Sequence, residues 1–385
     1  MQMIADRIKN VKESGTMKMK ELAGQKKAEG KKIISFTVGE PDFDTPKHIV
    51  EAAKKALDEG KTRYLDGPGL PALREAIAKR SKADNGVPCE ASNVMVTPTK
   101  QAIFMTIMAT VNPGEEVIMP DPAWVTYEPC VALAGGRAVP AITKEESQFR
   151  VLPETVAELI TPKTKMILLN SPSNPCGSVA TKEDVKGIAD LAKDHDLVVL
   201  SDEVYEKIIF DGLKHYSIAA EPGMFDRTVT ISGFSKTYAM TGWRMGWLVA
   251  PKPLFKAISK IQQHSITHAT TFAQYGGLAA LTEPQDCVKA MVKEFNERRD
   301  LIMRLMKEIP QFHCDTPKGA FYVFPRYEGK MGSEEMALHL MDKAEVALTG
   351  GSSFGGAGEK HLRISYATGK KNIEEGMARL KKAMA

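Results

Sequence analysis

From about residue 90, the chain alternates short apolar, β-branched runs with helical patterns, and this alternation limits the fold more than any other feature. It is typical of βαβ units, in which helices join parallel strands and cover both faces of one sheet. The run LVVL at 197–200 is uninterrupted and apolar, as expected for a strand covered on both faces. We predict strands at residues 94–96, 117–119, 166–169, 197–200 and 228–231. The sequence therefore predicts an α/β fold with a mostly parallel sheet covered by helices.

The last third of the chain has a different pattern. Charged helical patterns at 288–308 and 334–343 flank the strand-like segments GAFYVFP (319–325) and HLRISYA (361–367). A chain of 385 residues exceeds the size at which one core usually stops growing. We therefore expect a large domain at 46–285 and a smaller α+β domain formed by 1–45 and 286–385, with the segment 251–284 connecting them.

One helix is predicted in detail, between the third and fourth strands. Thr181 and Asp184 have the spacing of a capping box. The apolar positions that follow fall on one helical face: Val185, Ile188, Ala189 and Ala192.

Composition and charge exclude several classes of function. The chain has 52 Lys+Arg against 48 Asp+Glu, and these charges are interspersed, so no basic patch for nucleic acid or a membrane surface is predicted. Its five cysteines are widely spaced without a CxxC pair, which indicates reduced thiols and no metal site. The charged N-terminus lacks an apolar signal core, and no run approaches 18 apolar residues. We expect a cytoplasmic protein.

Three consecutive predicted strands end in polar segments: NSPSNPCG (170–177), SDEVYE (201–206) and SGFSK (232–236). Ligands of open α/β sheets bind beyond the carboxyl ends of the strands. The segments would bring Asn174, Asp202, Tyr205 and Lys236 to one edge. These residue types fit one cofactor. Lys236 has the amine that an aldehyde needs, Asp202 the carboxylate that a protonated pyridine nitrogen needs, and Tyr205 and Asn174 the donors for a phenolate oxygen.

A phosphate and an aromatic ring also have candidate partners. The strand at 94–96 leads into TPTKQAIF, where Thr99 and Lys100 begin a helix, and the N-terminus of a helix is a natural anion site. Arg244 adds a guanidinium fork. Trp124, in DPAWVTY, could stack on the cofactor ring.

Each residue taken alone has a structural interpretation that is the commoner one. Asp202 could be a helix cap, Asn174 a turn residue, Trp124 a core side chain and Arg363 a partner for a surface acid. Lysines are also mostly solvated. The apolar neighbours of Lys236 and the order of the whole set favour the functional interpretation.

NSPSNPCG, SDEVYE and SGFSKTYAMTGWRMG resemble the signatures of class I aminotransferases, the fold type I family that depends on pyridoxal 5′-phosphate. The resemblance implies that Lys236 forms the Schiff base with the cofactor and that Arg363 binds the substrate α-carboxylate. It also implies that Gly39 lines the substrate site and that Tyr64 reaches the cofactor phosphate of a neighbouring subunit, in a homodimer. Other segments are also similar to the family and occur in the same order along the chain: GEPDFDTP (39–46), KTRYLDGPGLPALREA (61–76), GAFYVFP and HLRISYA.

The implied reaction moves the amino group of an L-amino acid to a 2-oxo acid such as 2-oxoglutarate, with Lys236 as the general base. The chain resembles a subgroup of aspartate aminotransferases from bacteria and archaea, which implies that Lys100 binds a second substrate carboxylate. The N-terminal segment VKESGT would assist through Lys12, Ser14 and Thr16. The segment 262–271, where other aspartate-using enzymes place a second arginine, contains none.

Several alternatives stay open at this point. The donor could instead be alanine, an aromatic amino acid or prephenate. The same scaffold supports β-lyases and cyclopropane-forming synthases, which need the same lysine, aspartate and arginine. A ligand sensor would need a DNA-binding module, for which no residues are left over.

Two positions depart from the family pattern. Gly233 stands three residues before Lys236, where many relatives have a serine directed at the phosphate. The turn TPTK replaces a pair of small residues, which makes Thr99 a less secure phosphate contact than Arg244.

Overall fold

The computed structural model describes residues 4–11, 13 and 15–385. In chain order its helices are α1 (Gly15–Ala28), α2 (Lys47–Asp58), α3 (Pro71–Asn85), α4 (Thr99–Thr110), α5 (Tyr127–Leu133), α6 (Pro153–Leu159), α7 (Lys182–Asp194), α8 (Phe234–Thr237), α9 (Lys252–Ser265), α10 (Thr271–Thr282), α11 (Asp286–Met306), α12 (Ser333–Ala344) and α13 (Lys370–Met384). Its strands are β1 (Ile34–Ser35), β2 (Val94–Thr97), β3 (Glu116–Asp121), β4 (Arg137–Ile142), β5 (Thr164–Asn170), β6 (Val198–Asp202), β7 (Thr228–Gly233), β8 (Gly246–Val249), β9 (Phe312–His313), β10 (Tyr322–Val323), β11 (Arg326–Tyr327), β12 (Val346–Ala347), β13 (Thr349–Gly350) and β14 (Leu362–Ser365).

The central sheet has seven strands in the order β2-β8-β7-β6-β5-β3-β4. Strand β8 runs antiparallel to both of its neighbours, and the strands from β7 to β4 are parallel. The predicted α/β fold with a mostly parallel sheet is confirmed. The five predicted strands all lie in this sheet, whereas β4 and β8 were not predicted.

Helices bury both faces of the central sheet. One face packs against α4, α5 and α9. The other face packs against α6 and α7 near β5 and β6, and against α3 and α10 near β2 and β8. The segment 251–284 was expected to connect two domains, and it forms α9 and α10, with α10 packed on α2 and α3. The predicted helix after the third strand is α7, and its capping box between Thr181 and Asp184 is present.

The two ends of the chain pack together beside the large sheet. Strand β1 pairs in parallel with β12, and the antiparallel strands β10, β14 and β13 form a small sheet. A separate apolar cluster joins Met19, Ala23 and Phe36 to side chains of α11, α12 and α13. The same cluster includes Tyr205, which follows β6. This packing places the N-terminal segment and β14 next to the carboxyl ends of the large sheet.

Among the described helices, none is both long and apolar enough to cross a membrane. Within the described ranges there is also no group of three or more His, Cys, Asp or Glu side chains that could hold a metal ion.

Candidate active site

A cavity of about 450 Å³ lies at the carboxyl ends of β5, β6 and β7. The strand register aligns these ends, because Asn170 is paired with Asp202 and Asp202 with Ile231. Most of the residues singled out in the sequence line this one cavity: Thr16, Gly39, Thr99, Lys100, Trp124, Asn174, Asp202, Tyr205, Lys236, Arg244 and Arg363. Tyr64 does not line it, and Lys12 and Ser14 lie outside the described residues.

Asp202 is the last residue of β6 and is only 2% exposed. The hydroxyl of Tyr127 donates to its Oδ2 at 2.8 Å, and the backbone N–H of Val204 donates to its Oδ1 at 3.2 Å. Burial raises the pKa of Asp202 to about 6, although both donors oppose that rise. Sequence reasoning did not identify Tyr127, although it lies three residues after Trp124 in the quoted segment DPAWVTY.

Lys236 lies in α8, the short helix that follows β7 directly. Its Nζ donates to the carbonyl oxygen of Gly39 at 2.5 Å. Burial lowers the pKa of Lys236 to about 8, and the nearby Arg363 and Arg244 act in the same direction. The amine is therefore much closer to its neutral form at physiological pH than a solvated lysine is.

Arg363, on β14, is 3% exposed and connects three distant segments. Its Nη1 donates to Oδ1 of Asn174 at 3.0 Å, and its Nη2 donates to the carbonyl of Thr37 at 2.6 Å. The guanidinium carbon lies 4.7 Å from the ring centre of Tyr322 and 4.8 Å from that of Phe354. The buried Nε has no hydrogen-bond partner among the described residues. Arg363 is thus held in place, and because each Nη carries two N–H groups, both Nη atoms keep a donor that these two bonds do not use.

The hydroxyl of Tyr205 lies 2.7 Å from the hydroxyl of Tyr322, which is on β10. Tyr322 lines the cavity beside Gly39, where a side chain would collide with its hydroxyl. Neither Tyr322 nor Phe354 was singled out in the sequence, although Tyr322 lies within the quoted segment GAFYVFP. The close approach explains why glycine suits position 39.

The N-terminus of α4 borders the opposite end of the cavity. The first hydrogen bond of the helix runs from the N–H of Ala102 to the carbonyl of Pro98. The N–H groups of Thr99 and Lys100 therefore have no acceptor within the helix. Arg244 also lines this end, and its Nη1 donates to the carbonyl of Thr241 at 2.9 Å. The three groups together form a site suited to an anion.

Thr99 explains the absence of a serine at position 233. A Cβ added to Gly233 would lie 2.6 Å from Oγ1 of Thr99. Oγ1 itself is buried and has no partner in the part of the chain that the structure describes. The threonine hydroxyl therefore occupies the space that a side chain at 233 would need.

The side chain of Lys100 lines the cavity beside Trp124. Its Nζ is 5.0 Å from the ring centre of Trp124. Burial lowers the pKa of Lys100, and Arg244 acts in the same direction. Trp124 in turn packs edge-on against Tyr127 at 5.5 Å, so its ring is fixed by the side chain that contacts Asp202.

The chemistry of these donors fits pyridoxal 5′-phosphate. Lys236 is an amine of lowered pKa for the aldehyde, and Asp202 is a buried carboxylate for a protonated ring nitrogen. Tyr205 has a hydroxyl for the ring oxygen, and Arg244 with the α4 N-terminus suits the phosphate. Arg363 lines the cavity and has N–H groups beyond the two that bind Asn174 and Thr37, which suit a carboxylate.

Replacing Asp202 with asparagine is predicted to stabilise the cofactor-free protein at alkaline pH. The folded-state pKa of Asp202, about 6, lies above its ordinary value of 3.8, so the folded protein binds this proton more tightly than the unfolded chain. The charged carboxylate of Asp202 lowers the stability of the folded protein by its full amount above pH 6. This loss of stability declines as the pH falls toward 4. Asp202→Asn should therefore add on the order of 2–3 kcal/mol at pH 8 and clearly less at pH 5, measured by thermal unfolding.

The matched control is Asp211→Asn, for which we expect a change in stability of the opposite sign. Asp211 pairs with Arg299 at 2.8 Å, and this contact holds the pKa of Asp211 at about 2. Asp211→Asn should thus lower stability at pH 8. An Asp202→Asn variant that is destabilised equally at pH 8 and pH 5 would show that burying the Asp202 carboxylate does not lower the stability of the folded protein.

Comparison with known proteins identifies the family. The family model "Aminotransferase class I and II" matches residues 31–380. The aspartate aminotransferase of Pyrococcus abyssi is 44% identical over 99% of this chain and 98% of its own length, and the aromatic-amino-acid aminotransferase 2 of Thermococcus litoralis is 43% identical over the same shares. The solved structure of the Thermus thermophilus aspartate aminotransferase with maleate has a TM-score of 0.95 at 36% identity, covering 100% of both chains. This chain therefore belongs to the class I and II aminotransferases and is a pyridoxal-phosphate-dependent enzyme that acts on amino acids and 2-oxo acids.

Proposed function

We propose that this aminotransferase takes aspartate or glutamate as its amino donor and a 2-oxo acid such as 2-oxoglutarate as its acceptor. We further propose that Lys236 carries the cofactor and that Asp202 and Arg363 fix the cofactor ring and the substrate. The observation that supports these roles is the convergence of Lys236, Asp202 and Arg363 on one cavity from three separate segments.

Pyridoxal phosphate, when bound, supplies an aldehyde that condenses with amines and a protonated ring that stabilises negative charge on the substrate α-carbon. Once the amino group of the substrate has replaced Lys236 on the cofactor, Lys236 Nζ would be free to accept the α-proton, a task that requires the neutral amine. Its pKa of about 8 leaves an appreciable neutral fraction at physiological pH. Asp202 keeps the ring nitrogen protonated through its buried carboxylate, and Tyr127 and Val204 orient that carboxylate by their hydrogen bonds.

Arg363 binds the α-carboxylate of the substrate in this proposal. Its guanidinium contacts the rings of Tyr322 and Phe354 and donates to Asn174 and Thr37. Little side-chain freedom is therefore lost when a carboxylate binds. The amide oxygen of Asn174 accepts from Arg363, so its nitrogen would be the atom that donates to the ring oxygen of the cofactor.

Lys236→Ala tests the assignment of the lysine. The variant should lose borohydride-reducible attachment of pyridoxal phosphate, and transamination should fall at least about 100-fold because the proton-accepting amine is gone. Lys186→Ala, which removes an exposed lysine of α7, should change neither property. Reducible attachment that persists in Lys236→Ala would place the cofactor on another amine.

A dicarboxylic substrate needs a second cation besides Arg363. Lys100 lines the same cavity, close to the Trp124 ring, and Thr16 of α1 lies along it as well. We assign the second carboxylate to Lys100, with Thr16, Lys12 and Ser14 as proposed helpers from the N-terminal segment. The names of the Pyrococcus abyssi and Thermus thermophilus relatives agree with aspartate, whereas that of the Thermococcus litoralis relative agrees with the aromatic alternative.

Lys100→Ala should lower kcat/KM for aspartate and glutamate by about 10- to 100-fold, the effect of losing one charge-assisted contact, and leave alanine little changed. Lys20→Ala is the control, because Lys20 is an exposed lysine on the border of the same cavity. An equal loss with every substrate, together with weaker cofactor binding, would show instead that Lys100 neutralises the phosphate. Wild-type protein that prefers alanine or an aromatic donor would contradict the dicarboxylic assignment.

A homodimer with shared sites completes the proposal. Tyr64 is 87% exposed and lies outside the cavity of its own chain, with its ring edge-on to His268 at 5.6 Å. We assign Tyr64 to the cofactor phosphate of the partner subunit. Dissociation on dilution should then release cofactor, and Tyr64→Phe should weaken cofactor binding without changing the sedimentation of the dimer. A diluted monomer that keeps its cofactor would contradict the shared site.

The domain boundaries and the location are also part of the proposal. We divide the chain into 46–285 and into 1–45 with 286–385, because the apolar cluster around Phe36 joins the two chain ends. Proteolysis that cuts within 46–285 before it cuts near either boundary would contradict this division. We expect the enzyme to act in the cytoplasm, which fractionation of cells would test.

A further inference from the structure

The hydroxyl of Tyr322 has no role in the chemistry proposed so far, although the residue lines the cavity and its ring contacts Arg363. It is fully buried on β10, and its hydroxyl is 2.7 Å from that of Tyr205. The two rings are 5.9 Å apart and nearly perpendicular. A buried pair of hydroxyls this close requires that one donates to the other.

The backbone around Tyr322 restricts where its hydroxyl can point. Strand β10 pairs with β14, with Tyr322 opposite Ser365, so the Tyr322 ring lies diagonally from Arg363 on the same face of the small sheet. On the other side, Gly39 approaches the hydroxyl so closely that any side chain there would clash. The hydroxyl is thus confined between Gly39 and Tyr205.

The number of protons then decides the direction of the hydrogen bond. Burial raises the pKa of both Tyr205 and Tyr322, so each hydroxyl keeps its single proton at neutral pH. If Tyr205 gives its proton to the ring oxygen of the cofactor, it has none left for Tyr322. The contact between the two hydroxyls then exists only with Tyr322 as the donor.

We propose that Tyr322 is a positioning residue that donates its hydroxyl proton to Tyr205 and so directs the proton of Tyr205 toward the cofactor ring oxygen. This inference rests on the proposed role of Tyr205. Hydrogen bonds in a chain polarise one another, so a donor behind Tyr205 makes Tyr205 a stronger donor in front. Tyr322 thereby tunes the charge on a cofactor atom that it does not itself need to touch.

The competing explanation is that Tyr322 serves only through its ring, which lies 4.7 Å from the guanidinium of Arg363. Tyr322→Phe separates the two, because phenylalanine keeps the ring and removes the hydroxyl. Tyr366→Phe is the matched control: Tyr366 is also fully buried beside the small sheet, but its hydroxyl donates to the carbonyl of Ala320 at 3.2 Å.

The experiment is a spectrophotometric pH titration of the pyridoxal-phosphate-loaded protein without substrate. Donors to the ring oxygen stabilise its negative charge, so removing one raises the pH midpoint of the visible spectrum. We expect an upward shift of at least 1 unit for Tyr205→Phe, roughly 0.3–1 unit for Tyr322→Phe and none for Tyr366→Phe. The double variant Tyr205→Phe/Tyr322→Phe should match Tyr205→Phe alone, since Tyr322 acts through Tyr205.

The outcomes separate this inference from the proposed function. If Tyr205→Phe leaves the midpoint unchanged, the assigned role of Tyr205 is wrong. If Tyr205→Phe shifts the midpoint but Tyr322→Phe does not, or if the two shifts add in the double variant, the relay is wrong. Should Tyr322→Phe fail to load excess pyridoxal phosphate while Tyr205→Phe loads it, Tyr322 acts on the cofactor other than through Tyr205, and the relay is wrong.

Discussion

The parallel pairing of β5, β6 and β7 is the constraint on which the site depends. Paired strands lie about 4.8 Å apart, and here Asn170, Asp202 and Ile231 occupy matching positions on successive strands. The side chains of β5 and β6 alternate between two cores, so a slip by one residue would move each of them into the wrong core. The side chains that follow these ends line one cavity: Asn174, Tyr205 and Lys236.

Burial then sets the charges that this edge of the sheet can hold. It raises the pKa of Asp202 to about 6 and lowers that of Lys236 to about 8, so both groups are less easily charged than in water. The two do not neutralise each other through a hydrogen bond, because Lys236 donates to Gly39 and Asp202 accepts from Tyr127 and Val204. Functional sites are expected to hold such unfavourable groups, and a ligand with complementary charges relieves them.

The small sheet adds a buried cation, Arg363, to the cavity at the end of the large sheet. Arg363 comes from near the C-terminus and donates to Asn174, in the segment after β5, and to Thr37 of the N-terminal segment. Tyr322, the neighbour of Arg363, contacts Tyr205 in the same way. Two hydrogen bonds therefore join the small sheet to the segments that follow β5 and β6.

The sequence by itself determined the α/β class, five strands of the sheet and the polar side chains at their ends. Those features are local, because the apolar pattern of a strand or helix extends over only a few residues. A residue directly after a strand also has to lie at the end of that strand. The pairings of Tyr127 with Asp202 and of Tyr205 with Tyr322 were decided only in the tertiary structure, since they join residues 75 and 117 positions apart. The same holds for Gly233, whose missing side chain is explained by Thr99 on another element. Such contacts depend on how helices and the small sheet pack against the large one, and no local pattern encodes that packing.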